Sequence, residues 1–346
     1  MRQLILSIET SCDETSAAVV ADGREVLANV IASQIDVHQA FGGVVPEIAS
    51  REHLSSISFV VDHALVVAKC SLSDITAIAV TEGPGLVGSL LVGLCYAKGL
   101  AYGRRLPLVG VHHLEGHLYA NFLLPTPPTF PLVCLVVSGG HTDLIHMARH
   151  GHFSRLGSTR DDAAGEAFDK IARVLNLPYP GGPHLERLAM ESEPSIAFPR
   201  ARLEVGSLDF SFSGLKSAVM NYIHNSQQRG EELSPAAVAA SFQAAVIDIL
   251  VEKTIEAARA AGVRNLCLAG GVSANKALRS AMAEAARAEN LRLFLPDLEL
   301  CTDNAAMIGA AAYYRLREGA TADHKLNAHA VLPLTSWAVD FVGNCG

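Results

Sequence analysis

The chain reads as an α/β protein of two lobes built on a duplicated αβ unit, and three observations predict this. Apolar, β-branched runs at residues 4–8 and 17–21 flank a small polar turn, and the same strand, turn, strand order returns over residues 132–147. Between the two, Pro125-Thr126-Pro127-Pro128-Thr129 sets three prolines within four residues, which no helix continues. After each hairpin, short strands alternate with helical patterns. The expected lobes are residues 1–130 and 131–346.

Composition fits that division. At 346 residues the chain is long for one core and comfortable for two, and with 50% hydrophobic and 18% charged residues it excludes global disorder. A net charge of −8, with a pI near 5.9, argues against a broad nucleic-acid footprint and leaves room for a local basic patch. The seven cysteines (Cys12, Cys70, Cys95, Cys134, Cys267, Cys301 and Cys345) are scattered and never form CxxC, so they read as reduced thiols of a cytosolic protein. No uninterrupted apolar run reaches the roughly 18 residues a bilayer needs. The N-terminus has only Leu4-Ile5-Leu6 where a signal peptide would need a longer apolar core. A cytoplasmic protein without a membrane partner is expected.

The first turn, residues 9–16, concentrates hydroxyls and carboxylates, among them Asp13 and Glu14, where a phosphate and its metal could be met; a solvated hairpin tip is the alternative. Gly42-Gly43-Val44-Val45-Pro46 punctuates the chain, and residues 47–69 carry helical spacing through Ile57, Val60, Val61, Ala64, Leu65 and Ala68. A strand at 75–81 leads into Gly83-Pro84-Gly85-Leu86-Val87-Gly88, a literal GxGxxG. A dinucleotide fold would next place an acid at the end of the strand at 108–111, and His112 and His113 stand there instead. The glycines therefore read as room for a tight turn and a close helix-to-strand approach.

Residues 111–118, Val-His-His-Leu-Glu-Gly-His-Leu, make the most definite chemical offer in the chain. In a helix, His113 and His117 stand one turn apart on one face, which is metal-ligand spacing. Two imidazoles leave an ion short of ligands, and Asp303 in Cys301-Thr302-Asp303-Asn304 is the candidate third. Surface or core-edge histidines, and an acid answering a helix dipole, are the competing explanations. Glu115 lies two residues from each histidine and points to the far side of the helix, so neither HExxH nor HxxEH can be read. Gly116 costs such a helix about 1 kcal/mol relative to alanine.

In the second lobe, Ser138-Gly139-Gly140-His141-Thr142 is a turn whose hydroxyl and unobstructed N–H groups suit a phosphate. Asp161-Asp162 reads as the cap of a helix running to about residue 175, with Asp169 and Lys170 near its middle. Tyr179-Pro180-Gly181-Gly182-Pro183 reads as a rigid loop, with Glu186 one turn into the next helix, and the two phenylalanines of Phe210-Ser211-Phe212 read as core. Ser234-Pro235 opens a long helix that Gly262 closes. The strand at 266–269 runs into Gly270-Gly271-Val272-Ser273-Ala274-Asn275, a glycine pair before a helix and so a candidate anion or nucleoside loop. After a last strand at 291–295, Thr302 can cap a helix to about residue 317. No Walker A sequence occurs.

A phosphate hairpin in each lobe, a nucleoside loop and a metal candidate together resemble the actin, sugar kinase and Hsp70 ATPase (ASKHA) superfamily. The motifs from Ile8 through Thr15, Gly42 through Glu47, His113 through His117, Val137 through Thr142, Gly165 through Lys170, Tyr179 through Pro183, Phe210 through Lys216, Gly270 through Asn275 and Cys301 through Asn304 are similar, in order, to the bacterial TsaD family. The resemblance implies transfer of the L-threonylcarbamoyl group from threonylcarbamoyl-AMP to N6 of adenosine 37 in tRNAs reading codons that begin with A. It implies one divalent metal ion, Fe(2+) with Zn(2+) as the alternative, on His113, His117 and Asp303. It implies substrate contacts from Val136, Val137, Ser138, Gly139, Gly140, Asp169, Gly182, Glu186 and Asn275. Some archaeal relatives place a tyrosine ligand where this chain has Val136, so here a substrate oxygen or water would complete the shell. The implied partners are tRNA, a TsaB-like paralogue without the metal histidines, a TsaE-like small ATPase and a TsaC-like synthase that makes the donor. Asp13 or Glu14 is the candidate group for proton removal or donor orientation. A metal-dependent peptidase, an ATP-hydrolysing kinase or switch, and a non-catalytic scaffold are the rival classes. The acidic pI predicts weak, salt-sensitive tRNA binding by the chain alone.

Overall fold

The computed structural model describes residues 2–201 and 203–337. The first half contains β1 (Leu4–Glu9), β2 (Glu14–Ala21), β3 (Glu25–Ser33), α1 (Ile35–Gln39), α2 (Pro46–Val67), β4 (Ala77–Gly83), α3 (Val87–Arg104), β5 (Leu108–His112) and α4 (His113–Ala120). The second contains β6 (Leu132–Val137), β7 (Thr142–Arg149), β8 (His152–Ser158), α5 (Ala164–Val174), α6 (Gly181–Ala189), α7 (Ser213–Arg229), α8 (Pro235–Ala261), β9 (Asn265–Ala269), α9 (Lys276–Ala288), β10 (Arg292–Phe294) and α10 (Ala305–Arg317).

The duplication is written in the strand order. One sheet runs β3-β2-β1-β4-β5 and the other β10-β9-β6-β7-β8, which is the same sequence read from the opposite end. In each, a three-stranded antiparallel meander is extended by two parallel strands. The expected α/β fold of duplicated mixed-sheet units is therefore present. The helix after the fifth strand of each unit, α4 or α10, leaves its own sheet edge and packs against its counterpart between the two sheets.

Three features differ from expectation. β3 and β8, outer strands of their meanders, carry exposed polar residues among the apolar ones and gave no clean alternation. Asp161 and Asp162 do not cap α5, whose first N–H groups donate to Thr142 Oγ1 (2.9 Å) and the Ser138 carbonyl (3.1 Å). Asp161 accepts instead from the Phe212 and Ser213 N–H groups at the start of α7, and Asp162 holds Lys170 and Lys216, each at 2.7 Å. Finally, the cap of α10 is Asn304, whose side chain accepts from Met307 N, so Asp303 lies before the helix and not in its first turn.

Other features follow the sequence closely. Ser234 caps α8 through its hydroxyl, Pro235 occupies the first turn, and Gly262 closes it in the left-handed region. α8 is the one helix among the described residues long and apolar enough to cross a membrane, yet 61% of its most apolar window is buried, packed between β6 and the neighbouring helices. The glycine-rich β4–α3 turn lies against the first hairpin, with Leu86 N donating to Ser11 O at 2.8 Å. Phe210 and Phe212 are core. The six described cysteines are free; Cys345 and the C-terminal tail of which the sequence says nothing lie outside the described residues.

The chain passes from one sheet to the other through the proline segment, but α10 returns to dock on β1 and β2. Its alanine-rich surface permits that close approach. A Cβ added at Gly309 would lie 2.7 Å from Val20 Cγ2 and 2.8 Å from Ser7 Oγ. Gly309→Val should therefore lower stability by about 1–3 kcal/mol or more through overpacking, read by denaturant titration.

Candidate active site and metal centre

His112 ends β5 and caps α4: its Nδ1 accepts from Leu114 N at 3.1 Å, and its Nε2 donates to the Leu332 carbonyl at 2.8 Å. The helix thus starts at His113, and one turn of it sets His113 and His117 on the same face, between the two sheets. Nε2 of His113 and Nε2 of His117 lie 3.5 and 3.2 Å from the same oxygen of Asp303, which arrives from the loop before α10. One ligand atom from each of the three falls within 4.8 Å of the others.

The residues fit a cation. His117 is fully buried; its Nδ1 has no partner, and its Nε2 meets the Asp303 oxygen at 3.2 Å without making a hydrogen bond to it, which suits two atoms that would share an ion. Burial alone would disfavour the charged form of His113, but Asp303 and Glu9 outweigh it and push its pKa up to about 9. Asp303 is held well below the usual carboxylate range, since the nearby histidines outweigh its burial. Paired oxygen and nitrogen donors in a negatively biased, largely buried setting suit Zn(2+) or Fe(2+).

Two compartments with shared walls open here, the second of them reaching His113 and Asp303. One, of about 280 Å³, is bounded by Phe168, Pro183, Val272, Glu186 and Asn275, and offers mostly apolar walls. The other, about 640 Å³, reaches Ser138, Gly139, Gly140, His113 and Asp303. Asp13, Glu14, Asp169, Tyr179 and Thr302 border both. The first hairpin tip is thus no solvated turn, because Glu9, Thr10, Ser11 and Asp13 are buried.

A family model described as TsaD, tRNA N6-adenosine threonylcarbamoyltransferase, matches residues 25–310. The proteins of that name from Geobacillus kaustophilus (strain HTA426) and Halalkalibacterium halodurans are each 58% identical to this chain. The first match spans 331 residues, 95% of this chain and 96% of the relative, and the second spans 333 residues, 96% and 97%. The chain belongs to the TsaD family. Among solved structures, HypF of T. kodakarensis aligns with a TM-score of 0.61 at 14% identity, over 91% of this chain and 48% of that one. Component A of the (R)-2-hydroxyglutaryl-CoA dehydratase of Acidaminococcus fermentans aligns at 0.52 and 15% identity, over 92% and 99%. Both likenesses concern the fold alone.

Against the substrate contacts that the TsaD resemblance implies, the structure sorts the residues. Ser138, Gly139, Gly140, Asp169, Gly182, Glu186 and Asn275 border the compartments. Val136 and Val137 do not, since their side chains are fully buried in the core around β6. Several polar groups are already engaged. Asp169 accepts from Gly181 N at 2.8 Å, Glu186 from Lys276 N at 2.7 Å, and the amide of Asn275 caps α9 while donating to Gln243. Thr302, Tyr179, Phe168 and Pro183 border the first compartment as well; in the sequence they lie within three of the family motifs, where nothing marks their side chains as site residues. His141 borders the metal-side compartment, and burial, reinforced by His113, lowers its pKa to about 4.

Glu14 carries a testable electrostatic signature. Burial and the adjacent Asp13 charge push its pKa up to about 10, so it keeps its proton at neutral pH. A raised folded-state pKa contributes stability that is full below the unfolded value of about 4.5 and is lost as pH climbs toward 10. Glu14→Gln should abolish that slope. Its melting temperature should exceed the unsubstituted protein's by more at pH 9 than at pH 5, as followed by circular dichroism.

Proposed function

We infer that this chain transfers the L-threonylcarbamoyl group from threonylcarbamoyl-AMP to N6 of adenosine 37 in tRNAs reading codons that begin with A, releasing AMP. The observation that carries this reading is 58% identity to tRNA N6-adenosine threonylcarbamoyltransferases over nearly the whole of both chains. The cleft offers matching chemistry. Its apolar compartment suits the donor's adenine, and Gly139 and Gly140, which border the metal-side compartment without a side chain, suit the phosphate. An exocyclic amine is a poor nucleophile, so an activated mixed anhydride and close positioning supply what a covalent nucleophile otherwise would. N6 attacks the carbamoyl carbonyl, the bond to the phosphate oxygen breaks, and AMP leaves. Of the two acids in the first hairpin, Asp13 is the one oriented by a neighbour, since Tyr179 Oη donates to its Oδ2 at 3.4 Å, and it is the acceptor of the N6 proton in this reading. His113, His117 and Asp303 would hold a divalent ion, Fe(2+) in this reading, which would supply Lewis-acid polarisation of the donor.

A peptidase of the HExxH kind is disfavoured because Glu115 is fully buried in an ion pair with Arg315, away from the cleft. The test is reconstitution: purified chain and partners, threonylcarbamoyl-AMP and unmodified tRNA, read by mass spectrometry of nucleosides. Threonylcarbamoyladenosine should appear with AMP; ATP consumption without tRNA and without that product would favour the kinase reading.

The partners in this reading are tRNA, a TsaB-like paralogue, a TsaE-like ATPase and a TsaC-like donor synthase, all in the cytoplasm. Supporting a helical partner, Leu54, Phe59 and Val66 of α2 stand about 70% exposed, and Val87, Leu91 and Tyr102 face solvent along α3. Phe59→Asp should weaken co-elution with the paralogue on size-exclusion chromatography and leave the isolated chain's melting temperature unchanged.

A further inference from the structure

We propose that Glu9 is the positioning residue of the metal centre, its carboxylate taking the Nδ1–H of His113 so that the Nε2 lone pair of that ring faces Asp303 and His117. The inference rests on the metal reading above and deepens it. Glu9 ends β1, fully buried, at the meeting point of the first hairpin, β4 and α4. Its Oε1 accepts from Ser11 N at 2.6 Å; its Oε2 accepts from Thr81 Oγ1 at 2.6 Å and lies 3.2 Å from His113 Nδ1. An ionised carboxylate inside a core costs several kcal/mol unless it is paired, and here three donors from three elements converge on it.

The ring has a second neighbour, and it makes the carboxylate necessary. Ser11 Oγ lies 3.1 Å from the same Nδ1. A hydroxyl either donates or accepts. Were it to donate, Nδ1 would be bare, the proton would sit on Nε2, and that nitrogen could not bind a cation. A carboxylate only accepts, so Glu9 fixes the tautomer that presents Nε2. His117 has no such anchor, since its Nδ1 has no partner. Before an ion arrives, the His113 ring is thus the one held in place, and the ion on binding would displace the proton of its Nε2. Charge agrees as well: Glu9 and Asp303 together balance a divalent ion bound by two neutral rings.

The test titrates Co(II), as the probe, into metal-free full-length protein and reads visible absorption and affinity by competition. In Glu9→Gln the amide oxygen can serve Ser11 N or the Thr81 and His113 side, never both. Its Co(II) affinity should fall about 10- to 100-fold, with an altered absorption envelope. Thr81→Val removes a bond to the same oxygen without touching the ring, and its affinity should stay near that of the unsubstituted protein. Equal losses in both variants, or wild-type affinity in Glu9→Gln, would overturn the proposal. His113→Ala is the control that separates the two readings: if it binds Co(II) normally the metal reading itself fails, whereas its loss beside a normal Glu9→Gln sinks only the role of Glu9. Independently of any variant's folding, nitrogen NMR of the Zn(II)-loaded protein should find His113 with its proton on Nδ1 and the metal on Nε2; the reverse assignment ends the proposal.

Discussion

Asp303→Ala should strip the protein of its bound metal and cut threonylcarbamoyl transfer more than about 10²-fold, the loss that removing even a supporting outer residue approaches. The carboxylate supplies the one oxygen that both imidazoles face, at 3.5 and 3.2 Å. Without it two rings on one helical turn remain, a donor set too small to retain Fe(2+) or Zn(2+) against water. Folding should survive, because Asp303 precedes Asn304, which caps α10 through its own side chain. The variant should stay folded but melt below the unsubstituted protein, since it loses the ion's contribution to the folded state and the charge that faces both imidazoles, while elemental analysis shows no ion and initial rates collapse. Undiminished metal content after this substitution would mean that the three residues do not form the site. His117→Ala offers a companion case: elemental analysis should again show no ion, with a loss of stability from the cavity left by a fully buried ring.

How much of this arrangement could be read beforehand depended on the distance over which each residue finds its partner. The ends of α8 were plain because Ser234, Pro235 and Gly262 act within a few residues of themselves. The pair His113 and His117 was plain for the same reason, being one helical turn. Asp161 misled, because a carboxylate before a helix looks like that helix's cap whether or not it turns to serve Phe212 and Ser213 fifty residues away. Glu9 was legible only as one acid of the first turn: it sits between an apolar strand and a polar turn, and its significance comes from Thr81 and His113, 72 and 104 positions on. The first hairpin showed the opposite ambiguity. Its hydroxyls and acids are what a solvated tip would contain, and only packing against the β4–α3 turn and α4 buries them. The return of α10 to the first sheet was equally silent, since a helix buried on every side carries no stripe to say which sheet it meets.

The second large effect lies on the reverse face of the metal helix. Glu115 is fully buried, and Arg315 of α10 grips it with Nε at 2.9 and 3.0 Å and Nη2 at 2.7 Å, while Nη1 donates to the Gly110 carbonyl at 3.1 Å. α4 brings His113 and His117 and α10 follows directly on Asp303, so this pair fastens together the two elements whose spacing sets the candidate site. Gly116 lies in the same contact, where an added Cβ would come 2.7 Å from Ile308 Cδ1; the glycine that weakens the isolated helix is what lets α10 approach. Arg315→Met leaves the Glu115 carboxylate buried and unpaired, which costs about 3–5 kcal/mol and should lower the melting temperature by on the order of 10 °C. Adding Glu115→Leu removes the stranded charge and should restore most of that loss, leaving chiefly the unpaired Gly110 carbonyl, worth about 1 kcal/mol. Thermal denaturation of the two variants decides the matter. If Arg315→Met melts with the unsubstituted protein, the pair is not what joins the helices. If the double variant regains stability but binds metal weakly, then the ion pair sets the geometry of the site beyond its share in holding the fold together.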